Sequence, residues 1–313
     1  MHKISFAIPA QYYLPDVDLD SIFSMYRAAG IDGIDFGFYA FVGKIYGDRF
    51  FKKDMDELRT IFSRYKEALD RNGLVINQTH TPFPTVKFRG TEEEREEYNT
   101  YLIEATHKTI ELTAFLGGKY AVIHPVHFPN TVLEDEQRRL NMEFYPQFIE
   151  TAKKFGVKIC LENMWGRRDS GTAIFDSACA DAAEACDYID TLNAIAGEEI
   201  FVFCFDVGHA NLCGKHMQNT IRKLGHRLQV LHIHDTDKVD DLHTLPFTCI
   251  TGGGLPVTDW EGMILGLRDI GYRGFINFEA QIAFRQFPKP THPALCGMFA
   301  AIGRYFSDEI TKE

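Results

Sequence analysis

Ile200-Phe201-Val202-Phe203-Cys204-Phe205-Asp206-Val207-Gly208-His209 is an apolar run that ends abruptly on polar groups. Its first six residues are apolar without alternation, which reads as a strand buried on both faces, as in a parallel sheet. Runs of the same kind recur downstream at 229–234 and 275–279. Upstream they recur at 158–162, 120–124, 74–78, 33–38 and 4–9. Helix-period segments fall between them at 18–29, 54–71, 91–116, 133–155, 176–196, 215–224 and 259–270, and a last one follows at 293–306. Most of these end on glycine, the preferred residue past a helix C-terminus. Thr91-Glu92-Glu93-Glu94 reads as a capping box, and Pro146 is expected to kink or divide its helix.

Eight strands alternating with eight helices are the count that closes a (β/α)8 TIM barrel. An open doubly wound sheet would place a Gly-rich phosphate loop after the first strand, whereas this chain has Pro9-Ala10-Gln11-Tyr12-Tyr13 there. Gly252-Gly253-Gly254 reads as a loop needing close backbone approach. No linker interrupts the pattern, so residues 1–313 read as a single domain.

Apolar residues make up 45% and charged residues 25%, a globular mix that excludes disorder. The net charge of −11 opposes broad contact with nucleic acid, and the basic pairs Arg138-Arg139 and Arg167-Arg168 form no stripe. No apolar run is long enough to span a membrane. Seven scattered cysteines without a CxxC read as reduced thiols of a cytoplasmic protein. Met1-His2-Lys3 leads into a strand with no cleavable signal pattern.

In such a barrel, chemistry sits at the C-terminal ends of the strands. Those positions carry His80, His124, Glu162, Asp206 with His209, His232 with His234 and Asp235, and Glu279. Singly, an Asp or Glu there is often a helix N-cap and a His a satisfied core group. As a set, several buried carboxylates need compensating positive charge, and no Arg or Lys follows at once to supply it. One divalent ion would. Mixed carboxylate and imidazole ligands suit Zn or Mn first, with Mg or Co as further options. His232 and His234 are expected to face opposite ways, with one of them entering the mouth and His234 packing outside or supporting from behind. Phe38, Tyr39 and Phe41 are read as lining the other side of the pocket.

Leu161-Glu162-Asn163-Met164, Phe205-Asp206-Val207-Gly208-His209-Ala210-Asn211, Leu231-His232-Ile233-His234-Asp235 and Asp241-Leu242-His243, followed by Thr258-Asp259-Trp260, stand in an order that resembles the xylose isomerase-like barrel superfamily. That group contains sugar and sugar-phosphate isomerases and epimerases, inosose-processing enzymes and endonuclease IV. The resemblance covers nearly the whole chain. It implies a metal site at Glu162, Asp206, His232 and Glu279, and its ketose 3-epimerase branch implies Glu162 and Glu279 as the acid–base pair. It also implies a substrate-binding histidine at His209. Lys238 stands where ketose 3-epimerases carry a substrate-binding arginine, and Arg168 where they carry a glutamate.

The expected activity is therefore a metal-dependent isomerase or epimerase acting on a sugar, sugar phosphate or inosose-like polyol. The alternatives are a polyol dehydratase and an endonuclease IV-like enzyme acting on abasic DNA. Substrate contacts are expected from His80, His124, Trp165, His209, Lys238, Asp241 and His243, with Trp165 packing on the apolar face of a sugar. The nuclease reading instead needs nine ligands, His80, His124, Glu162, Asp206, His209, His232, Asp241, His243 and Glu279. The charge opposes it. A barrel retired to binding or regulation would have little reason to keep the full Glu-Asp-His-Glu set. The expected partner is a small-molecule sugar or polyol, with no nucleic acid and no membrane; a homo-oligomer is compatible with the sequence.

Overall fold

A computed structural model describes residues 1–42, 46–47, 49–169, 171 and 173–312. Buried apolar runs form eight parallel strands: β1 (Ile4–Ala7), β2 (Gly33–Gly37), β3 (Val75–His80), β4 (Tyr120–Val122), β5 (Lys158–Glu162), β8 (Phe201–Asp206), β9 (Leu228–His232) and β10 (Ile276–Phe278). They pair in the order β10-β1-β2-β3-β4-β5-β8-β9. Ile233 completes the ring by donating to the Asn277 carbonyl at 2.9 Å, and Glu279 N–H returns a bond to the Ile233 carbonyl at 3.1 Å. The (β/α)8 barrel is thus present. Its closure falls where the seventh and eighth expected strands meet.

Helix ends follow the local chemistry. Asp18, Asp54, Asp181 and Asp259 accept backbone N–H groups at helix N-termini, and Thr91 with Glu94 completes the capping box. Pro146 divides the expected 133–155 helix into Glu134–Phe144 and Ile149–Phe155, joined by a 3-10 turn. The expected 176–196 helix starts only at Ala182, because β6 (Trp165–Arg167) and β7 (Ile174–Asp176) form an antiparallel hairpin after β5. Gly166 admits the Phe175 ring there, since a Cβ would lie 2.2 Å from Phe175 Cζ. A short helix, Val207–Leu212, precedes Met217–Leu224, so strict alternation breaks after β8 as well. The Gly252-Gly253-Gly254 run is exposed and approaches nothing. Gly254, at φ 79°, only makes a turn.

Most of the core lies between barrel and helices. The lumen is split. Val122, Cys160, Val202, Cys204 and Val230 form an apolar layer. Opposite it, Ser5, Asn77, Gln78, Asn277 and Asp35 form a buried hydrogen-bonded network. Phe38 and Phe41 turn into the core and are fully buried, correcting the expectation that they line the pocket. All seven cysteines are unpaired. Among the described residues no helix is long and apolar enough to cross a membrane.

Candidate metal centre and active site

Glu162, Asp206 and His232 each end a barrel strand, and Glu279 follows the last residue of β10. Parallel registry therefore brings all four to one mouth, and one ligand atom from each falls within 4.8 Å of the others. His232 Nδ1 lies 3.1 Å from Glu279 Oε2, 3.4 Å from Glu162 Oε1 and 3.8 Å from Asp206 Oδ2. The residues are 1%, 0%, 0% and 7% exposed in the order Glu162, Asp206, His232 and Glu279, so water does not screen three converging carboxylates. His232 Nδ1 and Glu162 Oε2 are buried without a hydrogen bond of good geometry. Three hard oxygens and one imidazole nitrogen fit a divalent cation, and the donor set suits Zn or Mn.

The ligands are held from behind. Asp35 on β2 places Oδ2 3.4 Å from His232 Nε2 and is itself fixed by Gln78 and Asn277 at 3.1 and 2.9 Å. His80, His209 and His243 each donate Nδ1–H to a backbone carbonyl, of Thr81, Asn163 and Glu279 respectively, at 2.8–2.9 Å. That bond fixes the tautomer and turns Nε2 toward the mouth, as metal-ligating or substrate-binding imidazoles require. Asp206 also caps its own helix, accepting His209 N–H at 2.6 Å. The N-cap reading and the ligand reading of Asp206 are therefore both true.

The electrostatics separate the two glutamates. Burial pushes the Glu279 carboxyl up to about 7 against the pull of the His232 and His243 imidazoles. Burial acts on Glu162 too, but His232 and His124 outweigh it and hold this carboxyl well below the usual range. The imidazoles of His232 and His209 titrate well above their ordinary range. Burial lowers both, yet the surrounding carboxylates prevail. Burial, then His124, lowers His80 to about 3. Cys204 Sγ also lies within reach of Glu162 and His232, but burial keeps the thiol protonated and a poor ligand.

Two further groups flank this centre. His80, His124 and Glu162 form one, with His124 Nε2 3.3 Å from Glu162 Oε2. His209, His234, Asp241 and His243 form the other, with Asp241 Oδ2 3.1 Å from His243 Nε2 and 3.4 Å from His209 Nε2. His234 corrects the expectation that it faces away. Residues two apart share one face of a strand, and His234 is buried with Nε2 3.1 Å from both oxygens of Asp206. Trp165 sits on β6 with the Arg167 guanidinium 5.5 Å from its ring. Lys238 is exposed on the loop after β9, at φ 66°, and joins none of the ligand groups. Tyr39 does reach the mouth, 5.3 Å from the His80 ring. Asp35 is the residue that sequence reasoning missed; for His234 the supporting role was among the expectations and only its facing was misread. A carboxylate inside the buried strand Gly33–Gly37 was the available signal for Asp35.

A cavity of about 860 Å³ opens near Lys3, Lys119 and Arg273 at the N-terminal end of the strands, away from these groups. We place the site by its chemistry, at the opposite mouth.

Comparison with known proteins bears on the fold and the family. The chain is 26% identical over 181 residues to the uncharacterized protein MJ1311 of Methanocaldococcus jannaschii, covering 56% of each. It is 25% identical over 177 residues to the uncharacterized protein y4fM of Sinorhizobium fredii, covering 56% of this chain and 52% of that one. The chain thus spans about half the length of these curated relatives. Among solved structures it resembles a D-tagatose 3-epimerase-like protein with TM-score 0.67 at 18% identity, covering 99% of this chain and 98% of that one. It also resembles 3-keto-D-glucoside 4-epimerase YcjR from E. coli, with TM-score 0.66 at 17% identity over 98% and 100%. At these identities the likeness is one of fold. The profile of the Xylose isomerase-like TIM barrel family matches residues 23–291, and the chain belongs to that family.

Proposed function

We propose that this protein is a metal-dependent isomerase or epimerase that moves a proton at the carbon next to a carbonyl in a sugar, sugar phosphate or inosose-like polyol. The observation that carries the reading is one buried centre where two glutamates, Glu162 and Glu279, converge with Asp206 and His232. A divalent ion held by Glu162, Asp206, His232 and Glu279 would polarise the carbonyl and ease loss of the adjacent proton. Glu279 supplies the second carboxylate of the centre, and with an ion bound it would stay ionised and able to take and return a proton. Glu162 stays ionised, and its Oε2 faces His124 and His80, which can relay or hold the substrate hydroxyls. His209, Asp241 and His243 offer further hydroxyl contacts, with Trp165 on the β6–β7 hairpin and Lys238 on the loop after β9 as further candidates. The solved structures named as epimerases support this reading. Loss of a β-hydroxyl after the same proton removal would make the enzyme a dehydratase.

A second reading, an endonuclease IV-like phosphodiesterase, is favoured by the two flanking groups, which supply the further ligands a three-metal site needs. Metal analysis together with a keto-sugar panel in deuterium oxide separates the two. The proposal expects about one ion per chain, deuterium entering beside the carbonyl, and no cleavage of abasic DNA. Three ions with such cleavage would select the nuclease.

A further inference from the structure

Beside the metal centre lies a second space of different chemistry. A cavity of about 610 Å³ is enclosed by the segments after β3 and β4. Its walls are mainly the rings of Phe83, Phe88 and Phe128 with Pro125 and Val126. Phe88 and Phe128 pack with ring centroids 4.7 Å apart, and both retain exposure. The volume lies within the range of about 300–1,000 Å³ typical of pockets for ligands larger than a single sugar ring. A polyol carries a hydroxyl on nearly every carbon, and most of these would lose their hydrogen bonds against such walls.

The cavity shares a wall with the centre. His124 lines it and also places Nε2 3.3 Å from Glu162 Oε2. Phe83 stacks on the His124 ring at 5.0 Å and stands 5.3 Å from the His80 ring. His127, another wall residue, is held to about 4, first by burial and then by His124 and His209, so this wall is uncharged at neutral pH. A ligand whose polyol end reaches the metal centre therefore has its other end directed onto aromatic faces.

Resting on the isomerase reading above, we infer that the substrate is an aryl glycoside whose sugar ring already carries a ketone, with the keto sugar at the metal centre and the aryl group in this cavity. Flat rings bury large area against Phe88 and Phe128 by offset or edge contacts. The cations at the rim, Lys87 and Arg89, belong to the alternative in which a sugar phosphate takes the same place.

The test compares 4-nitrophenyl and methyl glycosides of several hexoses, and their 3-keto forms, by calorimetry on the manganese-loaded protein. At least one aryl member should bind about tenfold more tightly than its methyl counterpart. Phe88→Ala with Phe128→Ala should reduce that preference to about threefold or less while methyl glycoside binding stays unchanged. The inference is overturned if no aryl member outbinds its methyl counterpart. It is also overturned if hexose phosphates bind best and Arg89→Ala, rather than the Phe changes, weakens them. Deuterium exchange beside a carbonyl is read separately. Aryl preference without any exchange would leave the cavity assignment and remove the isomerase reading. Exchange on small ketoses without aryl preference would do the reverse.

Discussion

His232 meets four carboxylates at once: Asp35 at its outer nitrogen, and Glu162, Asp206 and Glu279 at its inner one. In the proposed centre the inner three would be ligands, whereas Asp35 would only orient the ring. Asp35→Asn keeps the hydrogen-bonding shape and removes the charge. It should weaken metal binding about 10–100-fold with the far-ultraviolet spectrum unchanged. Unaltered affinity by equilibrium dialysis would show that the ring needs no such support. Protons and metal compete for the inner cluster, because His232 titrates well above its ordinary range and Glu279 at about 7. Metal affinity should therefore rise as pH increases through neutrality, with protons released on binding. A flat affinity across that window would contradict the assignment. At this scale the sequence made the convergence of acids and imidazoles legible, since at strand ends they stand out against apolar runs. It left Asp35 unread because its role depends on a neighbour across the barrel. His234 was misjudged through the strand's period, not for lack of signal.

The elements that aim these groups are short, and two depend on small or buried polar residues. Gly208 follows β8, and a Cβ there would sit 2.0 Å from His234 Cε1. Gly208→Ala should push His234 off Asp206 and lower metal affinity, with a loss of stability typical of overpacking, about 1–3 kcal/mol. A crystal structure of the variant with His234 unmoved would refute this. Asp235 is fully buried and anchors the loop that follows β9. It accepts from Thr248 N–H, Cys249 N–H and Thr258 Oγ at 3.0, 2.9 and 2.6 Å. Asp235→Ala leaves the buried Thr258 hydroxyl unpaired, at about 1–3 kcal/mol, and frees the less buried Thr248 and Cys249 N–H groups from the loop anchor. Denaturant unfolding should report about 1–3 kcal/mol of destabilisation. Helix caps and the Pro146 break were readable because one or two residues specify them. The β6–β7 hairpin was not, because its pairing of Trp165 with Asp176 is a contact across a loop. The short Val207–Leu212 helix was also hidden, since its signal is the single cap at Asp206.

For the molecule as a whole, the ring of eight strands was legible from the repeated alternation, and the polar half of the lumen was not. The cluster makes stability depend on pH in opposite senses with and without metal. In chelated protein, His243 titrates at about 10 against an ordinary 6.5, so its contribution is complete below 6.5 and lost as pH rises toward 10. Glu279, raised from 4.5 to about 7, binds more protons folded than unfolded and loses stability over that span in the same direction. Asp241, held well below 3.8 by His209 and His243 against burial, loses its contribution only on acidification. On these groups the chelated protein should be most stable near about pH 4 and lose stability as pH rises beyond about 4.5. Metal at about a hundred times Kd should add about 2.7 kcal/mol, and its effect on Tm should grow with pH. A metal-induced shift that shrinks as pH rises would oppose this.

The account rests on Glu279 and Glu162 moving the proton while Asp206 and His232 help hold the ion. Deuterium incorporation beside the carbonyl of a turned-over keto sugar, at saturating metal, reads that step alone. The native protein should incorporate deuterium. Glu279→Gln and Glu162→Gln, each confirmed folded and metal-loaded, should lose it by about 100-fold or more, because an amide cannot accept the proton. Unchanged incorporation in both variants would contradict the account and move the base to another residue of the mouth, with His209 the next candidate.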